Sequence, residues 1–123
     1  MQRNNRKKLG NQGELIALEY LQKSGYRIVL KNFRVGRIGE IDIIAEEGQD
    51  LCFIEVKARS STIFGTPAEA VGKSKQENIK KIANVYLLNK NLFDRNIRFD
   101  VIEILFEGTS PHNFTLNHIK NAF

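Results

Sequence analysis

Cysteine is nearly absent from this chain. Cys52 is the only one in 123 residues, so no intramolecular disulfide framework can hold the fold. It falls in an apolar run, where it reads as a small buried hydrophobe. A reducing, cytoplasmic setting is expected. Long hydrophobic runs are missing too, and no segment approaches the length that crosses a bilayer. The charged start, MQRNNRKKLG, is not followed by the apolar stretch of a secretory signal. A soluble protein with no membrane partner is therefore expected. There is no internal repeat, no Pro/Ser/Gly linker and no Gly-rich nucleotide loop. His112 and His118 fit neither a zinc spacing nor a histidine-based nucleophile arrangement.

What remains is one compact domain's worth of chain, long enough to bury a core without staples. The formal net charge is +5. That sign favours polyanionic partners, nucleic acid first. The basic residues begin early, with Arg3, Arg6, Lys7 and Lys8. Residues 1–8 read as a flexible basic arm that can reach phosphate, or simply as a solvated tail. Residues 9–123 read as a single domain.

Apolar residues at three- and four-residue spacing predict a helix over residues 9–24, with Gly25 as its C-cap. Three strand-like runs follow: YRIVLKNFRV, GEIDIIAEE and DLCFIEVKA. Short Gly-bearing turns separate them, which predicts an antiparallel meander. Thr66, Pro67 and Glu69 carry the start signals of a short helix. Ser74 and Glu77 form a second capping box, ahead of the stripe Ile79, Ile82, Ala83 and Tyr86. This second helix should end near residues 89–91. IRFDVIEIL is a further strand, and FTLNHI is a faint last one. The order α-β-β-β-α-β predicts an α/β fold, a mixed sheet flanked by helices.

The anomaly lies in the third strand. Side chains alternate across a strand, so Leu51, Phe53, Glu55 and Lys57 share one face and Cys52, Ile54, Val56 and Ala58 the other. Both faces begin apolar, which predicts a central strand covered on both sides. Two charges then emerge together at one end of a buried face. The second strand repeats the oddity. There Glu40, Asp42 and Ile44 share a face, and Ile41, Ile43 and Ala45 the other. If the two strands pair, Asp42 can meet Glu55 across the ladder. Two buried carboxylates repel each other and lose hydration. A divalent cation relieves both problems, and Mg²⁺ takes carboxylate oxygens readily. Lys57 would then stand beside a reacting phosphate. The structural alternative is a same-face Glu55–Lys57 ion pair, with Asp42 as an edge charge.

GEIDIIA followed by FIEVKAR resembles the PD-(D/E)xK signature of restriction-endonuclease-like nucleases. GNQGELIALEYLQKSGYRIVLKNFR, FGTPAEAVGKSK and RFDVIEI extend the likeness. Together they look like the YraN family of uncharacterised bacterial proteins, which is similar to archaeal Holliday-junction resolvases. The resemblance spans about residues 9–106. It implies the restriction-endonuclease-like fold and an Mg²⁺- or Mn²⁺-dependent endonuclease acting on DNA, branched or junction DNA included. A homodimer would suit a symmetric junction. Asp42 and Glu55 match the metal-binding acids, the Val56 carbonyl a frequent extra ligand and Lys57 the catalytic lysine. Glu14 matches an acid that resolvase-like members place on the first helix. By spacing alone Glu14 reads equally as a solvated boundary residue. Ile41 stands where the signature has proline.

Lys75 and Arg59 are the further candidates for phosphate contact. Arg59 would leave the active end of the strand with the loop that follows. Arg98 and Asp100 read as a structural pair. The rival functional reading is a DNA-binding adaptor of the same fold without turnover, and a third is a structural module whose charges merely pair.

Overall fold

The first helix, α1, runs over Gln2–Lys23 and stops at Gly25, whose φ of 93° is open to glycine at little cost. The Tyr26 N–H reaches back to the Leu21 carbonyl at 2.9 Å, closing the helix end as the sequence predicts. The computed structural model describes residues 2–60, 71–108 and 110–123, with side chains from Lys7 onward. The helix begins at Gln2 rather than near residue 9. Gln, Arg and Lys are good helix formers, so the basic stretch continues α1. Arg3 and Arg6 lie outside the described side chains, whereas Lys7 and Lys8 are exposed.

Strands β1 (Arg27–Val35), β2 (Gly39–Glu47) and β3 (Asp50–Ser60) form the expected antiparallel meander. Helix α2 (Lys73–Lys90) then returns the chain, so that β4 (Asn96–Phe106) lies parallel to β3. The faint last run is a real strand, β5 (Phe114–Ile119), antiparallel to β4. The result is an α/β protein with one five-stranded mixed sheet in the order β1-β2-β3-β4-β5. The short helix expected at Thr66–Pro67–Glu69 falls outside the described residues. Among the described residues no helix is long and apolar enough to cross a membrane.

Strand β3 is central and covered on both faces. Cys52 and Ile54 pack with Ala17 and Leu21 of α1. Leu51 and Phe53 pack with Ile79, Ile82 and Tyr86 of α2. Each such side chain, fully removed from water, contributes roughly 1.5–3 kcal/mol. Burial also pushes the Cys52 thiol up to about 11, which leaves it an inert core group. Helix α1 approaches very closely at Gly13. A Cβ there would stand 2.7 Å from the Ala58 Cβ, so only glycine lets the helix sit this near the sheet.

Helix α2 starts one residue before the expected cap. Gly72 is its N-cap and no side chain caps it. Ser74 therefore lies inside the first turn, and the predicted capping box does not form. The Gln76 N–H bonds the Gly72 carbonyl, and the Gln76 side chain bonds the Val71 carbonyl at 3.0 Å. Lys90 ends the helix, with Asn91 in the left-handed conformation as cap.

One buried polar network fastens the edges of this core. Asp100 is fully buried, and its Oδ2 accepts from Arg98 Nη2 at 2.9 Å and from His118 Nε2 at 2.7 Å. The Asn121 N–H donates to the other oxygen at 3.1 Å. Arg98 also bonds Glu47, Asp50 and the Tyr26 hydroxyl. Tyr20 joins His118 at 2.9 Å. Burial alone would raise the Asp100 pKa, but the bonds from His118, Arg98 and Asn121 outweigh it and hold the carboxyl below its ordinary value. The expected Arg98–Asp100 pair is thus the centre of a structural cluster. His118, which fits no sequence pattern, belongs to it.

Candidate metal centre

The β2–β3 ladder is regular from Glu47↔Asp50 to Ile43↔Ile54 and stops there. Asp42 is the next residue. It does not pair with Glu55 through the backbone, as simple alternation predicts. Its Oδ2 instead accepts the Val56 N–H at 2.8 Å. A strand residue's N–H and C=O point the same way, so the Val56 carbonyl also faces β2, beyond the last paired residue. The side-chain alternation changes at the same place. Ile41 packs with Ile44 in the α2-side cluster, while Ile43 packs on the α1 side. The prediction that Ile41 and Ile43 share a face is therefore corrected. The irregularity carries the Asp42 carboxyl to the open end of the sheet.

There Asp42 and Glu55 line the same cavity. Glu55 is 4% exposed, yet its Oε1 has no hydrogen-bond partner. Its Oε2 faces two ammonium groups, Lys75 Nζ at 2.7 Å and Lys57 Nζ at 3.6 Å. Burial and the neighbouring Glu55 push the Asp42 pKa up to about 8. The Lys57 pKa is lowered, first by burial and then by Lys75. Burial also disfavours the charge on Lys75, but its bond and attraction to Glu55 outweigh that, and its pKa is raised.

Glu14 reaches the same place from α1. One oxygen from each of Glu14, Glu40 and Asp42 lies within 4.8 Å of the others. The close approach at Gly13, one residue before Glu14, makes this meeting possible. Asn32 of β1 links two of the acids. Its amide donates to Glu14 Oε1 at 3.1 Å and to Glu40 Oε2 at 2.9 Å. Asn32 has a φ of 53°, a conformation that asparagine tolerates better than most residues. It sits opposite Asp42, between the pairs Lys31↔Ile43 and Phe33↔Ile41.

Glu40, Asp42, Glu55, Lys75 and the first turns of α2 line an open cavity of about 550 Å³. The sequence-predicted residues Glu14, Asp42, Glu55, Lys57, Val56 and Lys75 thus converge at one end of the sheet. Arg59 lies one step further along β3, paired with Leu105, so it is a strand residue rather than part of the departing loop. Lys7 precedes Glu14 by two helical turns on the same side of α1, about 10 Å away. Sequence reasoning missed Asn32 and Glu40. Glu40 carried a signal, since it shares a strand face with Asp42. Asn32 carried none.

The donor set is entirely oxygen, with Glu55 buried and Asp42 half-buried on one cavity, which suits a hard divalent cation. Fold and site together define an α/β protein with a carboxylate–lysine centre at a strand end. The model of the uncharacterised protein family UPF0102 matches residues 13–104, and the chain belongs to this family, the YraN family of its motifs. Relatives span nearly its whole length. The UPF0102 protein of Acetivibrio thermocellus is 45% identical over 123 residues, covering 98% of this chain and 95% of its own. That of Caldanaerobacter subterraneus subsp. tengcongensis is 47% identical over 126 residues, covering all of both chains. That of Alkaliphilus oremlandii is 48% identical, covering 95% of this chain and 98% of its own.

Proposed function

We propose that this protein is a metal-dependent nuclease of the restriction-endonuclease-like class, hydrolysing phosphodiester bonds in DNA. The observation that carries the reading is that Asp42 and the buried Glu55 line one cavity at the open end of the sheet, with Lys57 and Lys75 on Glu55. Asp42, Glu55, the Val56 carbonyl and Glu14 would hold Mg²⁺ or Mn²⁺. A divalent ion there supplies concentrated positive charge for the phosphate and for the attacking water.

The chain's own groups do the rest. Asp42 is oriented by the Val56 N–H, so its carboxyl cannot swing away from Glu55. Lys57 is held by Glu55, with a lowered pKa that eases proton exchange with a water. It orients that water or steadies the charge that develops on the phosphate. Lys75 stands at the cavity on the first turn of α2, where its ammonium and the helix N-terminus both favour a phosphate. Lys7 and Lys8 extend positive charge past the same end and suit a longer polyanion.

The test is cleavage of labelled DNAs, among them linear duplex, flap and four-way junction, in Mg²⁺, Mn²⁺ and EDTA. Wild type should cut only with metal, and Lys57→Ala and Asp42→Ala should each lose at least ~100-fold in rate. Full activity in Asp42→Ala would overturn the assignment. Binding without cutting at every metal would support the adaptor reading, and affinity would then fall steeply with salt.

A further inference from the structure

One buried acid takes no part in the chemistry above. Glu103 of β4 is 7% exposed. The Asn117 amide donates to its Oε1 at 3.2 Å, while its Oε2 has no hydrogen-bond partner among the described residues. Lys57 stands opposite Glu103 in the parallel β3–β4 register, but its ammonium lies on Glu55. A buried acceptor left open carries a desolvation cost that a donor from outside the chain would remove.

That acid lines a second cavity, of about 180 Å³. The walls are otherwise mostly apolar, with Val71, Val101, Ile119 and Phe123 among them. Gln76 also lines it, and its amide already donates to the Val71 carbonyl at 3.0 Å. The Phe123 ring stacks on Phe99, with centroids 5.3 Å apart and planes 21° from parallel. The Ala122 N–H donates to the Phe99 carbonyl at 2.7 Å, which pins this aromatic wall to β4. Lys80 Nζ stands 5.9 Å from the Phe123 ring centroid. Pockets for drug-sized ligands begin near ~300 Å³, so this one suits a single small ring system. An apolar slot with one open acceptor fits a flat ring that carries an N–H donor.

The two cavities flank the start of α2. Gly72, Ser74 and Lys75 line the first, Val71 and Gln76 the second. Glu103 lies one strand over and two residues along from Glu55, roughly 8 Å away between α-carbons. A nucleotide strand with its phosphate at the first cavity therefore has a base within reach of the second.

We propose that the second cavity receives one unstacked nucleobase with an exocyclic amino group, cytosine being the single-ring case. Glu103 Oε2 accepts the amino N–H, and Phe123 forms the wall beside the base. The proposal rests on the nuclease reading above and deepens it, because the substrate then carries an unpaired nucleotide near the scissile phosphate. A carboxylate only accepts hydrogen bonds. Cytosine offers its N4 amino group to it, whereas thymine and uracil present the O4 oxygen there and are repelled.

The probes are short single-stranded oligomers of dC and of dU, which carry equal phosphate charge and differ at the amino group. Fluorescence anisotropy at pH 8, with Ca²⁺ as the cation, should show the full chain binding oligo-dC about tenfold tighter. Glu103→Gln keeps the shape and can offer its own amide to O4, so the preference should vanish or reverse. Phe123→Ala should weaken both oligomers about fivefold or more, since a ring wall serves every base. Circular dichroism checks that both variants fold. Equal affinity of wild type for the two oligomers, or an unchanged preference in Glu103→Gln, would overturn the base pocket alone. No binding of either oligomer would overturn it as well, and the nuclease reading falls with it only if no DNA is cut in Mg²⁺ or Mn²⁺.

Discussion

Two clusters of buried charge occupy this sheet, and they are built differently. At Asp100 every acid oxygen has a donor: Arg98, His118 and the Asn121 N–H surround it. At Asp42 and Glu55 two carboxylates line one cavity, one buried oxygen has no partner, and the compensating lysines crowd onto Glu55. Both clusters carry the desolvation cost of buried charge. The first offsets it with internal bonds and closes the fold. The second leaves part of it uncompensated, at the mouth of a cavity. A satisfied network fixes structure, whereas an unsatisfied one on an open strand end is poised for a ligand.

The sharpest way to break the comparison is to remove one member of the satisfied cluster. Asp100→Ala strands Arg98 without its main partner and should cost about 3–5 kcal/mol in urea denaturation. A cost below about 1 kcal/mol would show that the network is not structural.

A smaller effect of opposite sign is expected at the other cluster. The Asp42 carboxyl holds its proton up to about pH 8 in the folded chain, against about pH 4 when unfolded. The folded state therefore binds more protons between these values. Metal-free stability should fall as pH rises from about 4 to about 8, then level off. Asp42→Asn keeps an acceptor for the Val56 N–H and lacks this titration. Without metal it should be more stable than wild type by about 1–3 kcal/mol at pH 8, and the gap should close near pH 4. Equal stability at both pH values would remove the claim of stored repulsion.

Much of this contrast is legible in the sequence. The acids and the lysine stand out because they interrupt apolar strands, and a period of two puts Glu55 and Lys57 on the face of Leu51 and Phe53, which the structure shows α2 covering. Gly25 and the stripe from Ile79 to Tyr86 are local signals, and the structure bears them out. What stays hidden depends on register and on long-range approach. Where the β2–β3 ladder ends decides that Asp42 meets Glu55 through the Val56 N–H and not as a ladder partner. Asn32 matters because a left-handed residue on β1 happens to lie beside α1. His118 belongs to the core only because β5 pairs with β4 at Ile102. Ser74 shows the converse: its capping signal is present, but the backbone starts the helix at Gly72.

The most direct measurement is thermal unfolding of wild type and Asp42→Asn at pH 8, with and without Mn²⁺. Cation binding to the folded state alone stabilises it by about 2.7 kcal/mol at a hundredfold excess over Kd. The wild-type Tm should then rise by roughly 5–10 °C. The Asp42→Asn Tm should start higher and barely move. A wild-type Tm unchanged by Mn²⁺, or an equal rise in both proteins, would contradict the view that the uncompensated charge at Asp42 and Glu55 is a cation site.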